Sequence, residues 1–144
     1  MGYTHYWAKS QPSSRDVWAP FQTVAKMIVQ DQKKHGVALV YEWDHGAKPI
    51  TDAEQVRFNG NGPEGHETFQ ISRAATPHFD FCKTAQKPYD TAVVACLICA
   101  AVLLPGFSWS SDGDVDELQP GLDLARKVLG MPSLELNTRQ DEAA

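Results

Sequence analysis

Asp90-Thr91-Ala92-Val93-Val94-Ala95-Cys96-Leu97-Ile98-Cys99-Ala100-Ala101-Val102-Leu103-Leu104 opens on an acid and then carries no charge from Ala92 to Leu104. That uncharged run is 13 residues long, short of the roughly 20 that a membrane-spanning helix needs. A helix apolar on every side belongs in a protein core, and Pro105-Gly106 ends it. The remaining chain must therefore cover this helix from several directions.

The covering elements can be read on either side. Tyr3 to Lys9 alternates with period two, Tyr3, His5 and Trp7 on one face and Thr4 and Tyr6 on the other, and reads as a strand. After the turn Gln11-Pro12-Ser13-Ser14, a helix capped by Asp16 runs to Gly36, with Pro20 in its first turn and Val17, Phe21, Val24 and Ile28 as its core stripe. Val37 to Trp43, Gln55 to Phe58, Glu67 to Ser72, Phe79 to Lys83 and Phe107 to Ser111 read as further strands, and Leu118 to Leu129 as a third helix interrupted by Pro120-Gly121. The expected fold is α+β: one domain over residues 1–137, a mostly antiparallel sheet packed on the apolar helix and a long N-terminal helix, with 138–144 as a polar tail.

Composition narrows the function. The 144 residues are 42% hydrophobic, 10% aromatic and 22% charged, with net charge −5. Acids and bases balance at 10 each through residue 111, while residues 112–144 hold 8 acids and 3 bases. A chain that tracks a DNA or RNA backbone carries a basic surplus, so a polymeric nucleic acid is disfavoured. The first residues lack the basic-then-apolar pattern of a signal peptide. Three cysteines in apolar surroundings fit a reduced compartment, so the expectation is a cytoplasmic protein that does not enter membranes.

Several motif matches carry little chemistry. Gly60-Asn61-Gly62-Pro63-Glu64-Gly65 spells G-x-G-x-x-G, but strand-like residues follow it where a dinucleotide site needs a helix, so it reads as a hairpin loop. Cys96-Leu97-Ile98-Cys99 lies inside the uncharged helix, where thiols stay protonated. Asp112-Gly113-Asp114-Val115-Asp116 lacks the glycine and glutamate of a calcium loop and reads as a solvated acidic loop. No zinc spacing joins His66, Glu67, His78 and Asp80, and no metal or other cofactor is expected. Ser110 and Ser111 have no serine-nucleophile motif and no assignable histidine.

Phe81-Cys82-Lys83-Thr84-Ala85-Gln86-Lys87-Pro88-Tyr89-Asp90 is richer. A strand ends in two lysines and a helix begins directly after them, where unpaired N–H groups and a partial positive charge favour an anion. Lys83, Lys87 and the helix start at Asp90 would hold a phosphate, with Thr84 and Tyr89 donating hydrogen bonds. Tyr3, His5, Tyr6 and Trp7 would shape or stack on the organic part of the ligand, and Asn59 and Asp112 would read its polar edges. The bland alternative is that Asp90 caps the helix and pairs with a lysine.

Met1-Gly2-Tyr3-Thr4-His5-Tyr6-Trp7, Arg57-Phe58-Asn59-Gly60, Gly65-His66-Glu67-Thr68-Phe69, Phe81 to Asp90 and Ser111-Asp112-Gly113 together resemble a family of small bacterial, phage and prophage proteins. Relatives in that family carry Arg where Gln86 stands here, so this chain has one cation fewer. The resemblance implies a mobile-element setting, in which small proteins counter host defence, and it brings no catalytic mechanism. The leading expectation is a protein that binds and sequesters a phosphorylated nucleotide signal in the bacterial cell, with a homo-oligomer enclosing the ligand. The alternatives are an enzyme on a nucleotide or related phosphate compound, with Asp90, His5 or Asp112 as acid, base or metal ligand, and an acidic protein–protein inhibitor acting through residues 112–144.

Overall fold

A computed structural model of the chain describes residues 3–136. The uncharged helix runs Asp90–Leu103 (α2), and every residue from Ala92 to Ala100 is buried. It packs against the N-terminal helix Arg15–Lys34 (α1) and the last helix Val115–Leu129 (α3). Strands β1 (Thr4–Lys9), β6 (Thr76–Lys83) and β7 (Phe107–Ser111) form one sheet, with β1 in the middle. A second sheet orders β2 (Leu39–Val40), β4 (Gln55–Gly60) and β3 (Ile50–Thr51), with β5 (Phe69–Ser72) also on β4. All of these pairs are antiparallel. The protein is an α+β domain of the expected class. Among the described residues no helix is long and apolar enough to cross a membrane. The expected tail at 138–144 lies outside the described residues.

Some element ends differ from their sequence reading. Ser14, not Asp16, caps α1, its side chain accepting from the Val17 N–H. This earlier start puts Pro20 inside the helix, where it gives up one backbone hydrogen bond. It also leaves Val17 half-buried and turns Trp18 inward, its Nε1 donating to the Asp52 carbonyl at 2.9 Å. The strand expected over Val37 to Trp43 shrinks to Leu39–Val40, and Ile50–Thr51 is a strand that the pattern did not reveal. β4 and β5 do form the hairpin around the glycine-rich loop, which holds one 3₁₀ turn at Gly62–Glu64. The cysteines are free and buried, and burial pushes the Cys99 thiol up to about 12.

Two buried contacts close the domain. Lys9 is almost fully enclosed, and its ammonium donates to the carbonyls of Gln11 at 2.7 Å and Arg73 at 2.9 Å. Burial first, and then the Arg73 charge, hold this amine below its ordinary value. At the crossing of α2 and α3, Gly121 lets the helices touch: a Cβ there would lie 2.3 Å from Val94 Cγ1 and 3.2 Å from the Ala95 nitrogen. Gly121, awkward for helix propensity, is thus explained by packing.

Gly121→Ala tests this crossing. Helix propensity alone would favour alanine by about 1 kcal/mol. Overpacking against Val94 outweighs that, so the variant is expected to lose about 1–3 kcal/mol in urea unfolding. A gain in stability would refute the close crossing. A second prediction concerns Asp31, whose carboxyl is held below the ordinary range mainly by the hydrogen bond from Lys127 Nζ at 2.6 Å. A lowered folded value stabilises above the ordinary range and is lost as pH falls through it. Lys127 is exposed, so Lys127→Ala should cost only about 0.5 kcal/mol at neutral pH. The difference from the parent should shrink as pH falls through the lowered Asp31 value, where the carboxylate that Lys127 holds is protonated.

Candidate functional site

β1, β6 and β7 come together at one end with the start of α2. Thr4 stands opposite Lys83, and His5 opposite both Cys82 and Ser111. The register continues past the strand ends: the Thr84 N–H donates to the Tyr3 carbonyl at 3.2 Å, and the Asp112 N–H to the Thr4 carbonyl at 2.9 Å. Asp112 Oδ2 in turn accepts from the Thr4 N–H at 3.1 Å.

This pairing buries His5 completely and gives both ring nitrogens a partner. Nε2 meets Asp90 Oδ1 at 2.6 Å, and Nδ1 meets Ser111 Oγ at 2.7 Å. Thr84 Oγ1 donates to the same Asp90 oxygen at 2.5 Å, and the Gly113 N–H donates to Ser111 Oγ at 2.9 Å. A carboxylate only accepts, so the proton between His5 and Asp90 belongs to Nε2. In the neutral ring Nδ1 then accepts from the Ser111 hydroxyl. The result is a continuous relay, Asp90 to His5 to Ser111, with Thr84 holding the carboxylate.

Tyr3 covers this relay, its ring edge-on to His5 at 5.2 Å between centroids. Its hydroxyl lies over Gly113, where a Cβ would come within 2.4 Å of the oxygen. Burial, then the charges of Asp90 and Glu117, raise the Tyr3 hydroxyl above its ordinary value. The surroundings of the relay are acidic.

Between Lys83 and α2 the chain makes a tight turn. The Lys87 N–H donates to the Thr84 carbonyl at 3.0 Å, and the two residues between them are left-handed, Ala85 with φ 52° and Gln86 with φ 55°. Two positive φ values at the centre are the type I′ pattern, which favours Asn-Gly. Here two side-chain-bearing residues hold it, at a cost of roughly 1–2 kcal/mol each. Gln86 donates through Nε2 to Glu117 Oε2, tying the turn to α3. Lys83 is exposed and Lys87 half-buried, and among the described residues neither ammonium lies within 4.0 Å of a carboxylate.

The expected site residues therefore divide. Tyr3, His5, Thr84, Asp90 and Asp112 gather here with Lys83 and Lys87 nearby. Thr84 and Tyr89 are fully buried, and their hydroxyls already have partners: Asp90 for Thr84, and the Glu67 carbonyl, at 2.6 Å, for Tyr89. Neither hydroxyl is left to donate to a phosphate. Asp90 neither caps the helix nor pairs with a lysine; its carboxylate turns in to His5. Trp7 packs into the core, 5.2 Å from the Phe69 ring, so it cannot stack on a ligand. Tyr6 lies opposite Phe81 and Ser110, on the other side of the sheet from His5. Asn59 is fully buried and organises the hairpin loop, donating to the His66 carbonyl at 2.9 Å and accepting from the Gly60 N–H at 2.7 Å. It reads no ligand edge.

Ser111 and Gly113 were missed as site members, because no local spacing links a serine to a histidine 106 positions away. The acidic loop also held a legible signal: Asp114 and Glu117 form a capping box at the start of α3. Among the described residues no group of three or more His, Cys, Asp or Glu side chains is placed to hold a metal ion. The chain matches no protein-family model, no curated protein and no solved structure.

The turn strain is open to measurement. Ala85 is exposed and left-handed, so Ala85→Gly should stabilise the protein by about 0.5–1 kcal/mol, the relief of strain exceeding the added entropy of the unfolded chain. Equal or lower stability in chemical denaturation would show that the turn is not strained.

Proposed function

We propose that the protein binds and holds a small phosphorylated molecule at the turn between β6 and α2. The observation that carries this reading is the pair Lys83 and Lys87 on either side of a strained turn, whose ammonium groups have no carboxylate within 4.0 Å among the described residues. Left-handed residues of this kind persist where the surroundings enforce them, and they concentrate at ligand clamps. Asp90 makes no ion pair with either lysine, its carboxylate being hydrogen-bonded to His5 and Thr84. The phosphate lies on the outer side of the turn, against the two ammonium groups. The buried relay keeps the turn in place beneath it, so Thr84, Tyr89 and Asp90 act as its supports rather than as direct donors.

The sequence resemblance supports a mobile-element setting, and a phosphorylated nucleotide signal of host defence is the ligand that suits it. The protein then works in the bacterial cytoplasm by sequestration. Calorimetry against cyclic and ADP-ribose-type nucleotides tests this. Binding should weaken at least about tenfold in Lys83→Ala and in Lys87→Ala, the loss of one charge-assisted contact. No binding, or unchanged affinity in both variants, would remove the reading.

The Asp90–His5–Ser111 relay favours one further reading, catalysis on the same ligand. A serine whose proton passes to a carboxylate-oriented histidine is a nucleophile arrangement. Here Ser111 is buried, so attack would require the end of the sheet to open. Ligand recovered intact from heat-denatured protein supports capture. A converted product that disappears in Ser111→Ala supports catalysis.

A further inference from the structure

A cleft of about 540 Å³ lies beside α1, away from the relay and the β6–α2 turn. Lys26, Val29, Gln30 and Lys33 line one wall, at positions i, i+3, i+4 and i+7, a single stripe of the helix. This stripe is distinct from the buried one made by Phe21, Val24, Ala25 and Ile28. Leu39 and Val40 of β2 and the segment Gly46 to Pro49 line the other side.

The chemistry of this cleft is unlike that of the relay. Its floor is apolar, built from Val29, the nearly buried Leu39 and Val40, and Pro49. Its cations come from two separate segments, Lys26 and Lys33 on α1 and Lys48 on the loop before β3. Among the described residues none of the three lies within 4.0 Å of a carboxylate. Three exposed lysines around one apolar depression give it a positive potential that draws an anion. The volume falls within the range of small-molecule sites.

We propose that this cleft is a second binding site, for an organic anion that combines an apolar body with two or more negative charges. The body lies against Val29, Leu39, Val40 and Pro49, and the charges face Lys26, Lys33 and Lys48. Both parts are needed: charge alone finds no enclosed surface here, and an uncharged body leaves the three cations unpaired. The site shares no residue with the turn at Lys83 and Lys87, so the two can fail separately.

Amide chemical shifts of the full chain titrated with ADP, adenosine and inorganic pyrophosphate test the proposal. With ADP the shifts should saturate below about 1 mM and centre on residues 26–33 and 38–51. Adenosine and pyrophosphate alone should each bind at least about tenfold more weakly than ADP. Lys33→Glu with Lys48→Glu should abolish the shifts while the spectrum stays folded, since both side chains are exposed. Lys83→Ala with Lys87→Ala should leave the shifts at residues 26–33 and 38–51 in place, whatever it does at the turn. Shifts that fail to saturate would overturn the proposal. So would shifts at residues 26–33 and 38–51 that survive the charge reversal, adenosine or pyrophosphate binding there as tightly as ADP, or ADP shifts confined to residues 83–87, which would assign the anion to the turn instead.

Discussion

A helix with no polar side has to be covered everywhere, and α2 has none between Ala92 and Ala100. Each flank of α2 therefore sets a demand on another part of the chain. α1 meets one flank with a stripe of aromatic and aliphatic residues. α3 meets another so closely that only glycine fits at 121. Burial of this kind is non-directional and proportional to area, so it fixes that the elements must gather but not their angular placement. The directional information comes from polar groups at the ends of elements: the Ser14 cap, the Asp114–Glu117 box, the Lys9 ammonium on two carbonyls.

The start of α2 joins these two kinds of force. Asp90 stands at the mouth of the apolar core, and a carboxylate there is costly unless it is paired. His5 and Thr84 supply that pairing, and His5 is itself tied to Ser111. One hydrogen-bonded group thus locks the central strand, the two strand ends beside it and the helix start into a single arrangement. The left-handed turn at Ala85 and Gln86 follows from the same constraint: the chain must leave β6 and present Asp90 to His5 within a few residues. The lysines on either side of that turn inherit their positions through the backbone from a buried network of side chains.

What the sequence revealed depended on how local each signal was. The apolar run from Ala92 identified α2, and period-two alternation found β1, because those patterns lie within one element. The hairpin loop was legible for the same reason, its glycines and asparagines occurring at the turn itself. Ile50–Thr51 was hidden, since a strand of two residues has no periodicity to read. Trp7 and Tyr89 carried the right chemistry for a ligand, yet their burial depends on neighbours distant in the chain. The partnership of His5 with Ser111 is of the same type: it follows from the register of β1 on β7, which no spacing encodes. Asp114 and Glu117 are different, because their three-residue spacing was available and their acidity drew attention away from it.

The central place of β1 bears on how the chain is made. Its two partners are β6 and β7, and the second begins only at Phe107. At ribosomal rates of about 5–20 residues per second, roughly 5–20 seconds separate the synthesis of β1 from that of its second neighbour. Until Thr76–Lys83 is made, Tyr3-Thr4-His5-Tyr6-Trp7 is an aromatic strand with both edges open, and until Phe107 follows one edge stays open, the kind of segment that pairs with other chains. Contacts this far apart in sequence also slow folding. The relay that orders the mature site therefore forms late, and the nascent protein passes through a stage in which its most aromatic strand needs shielding.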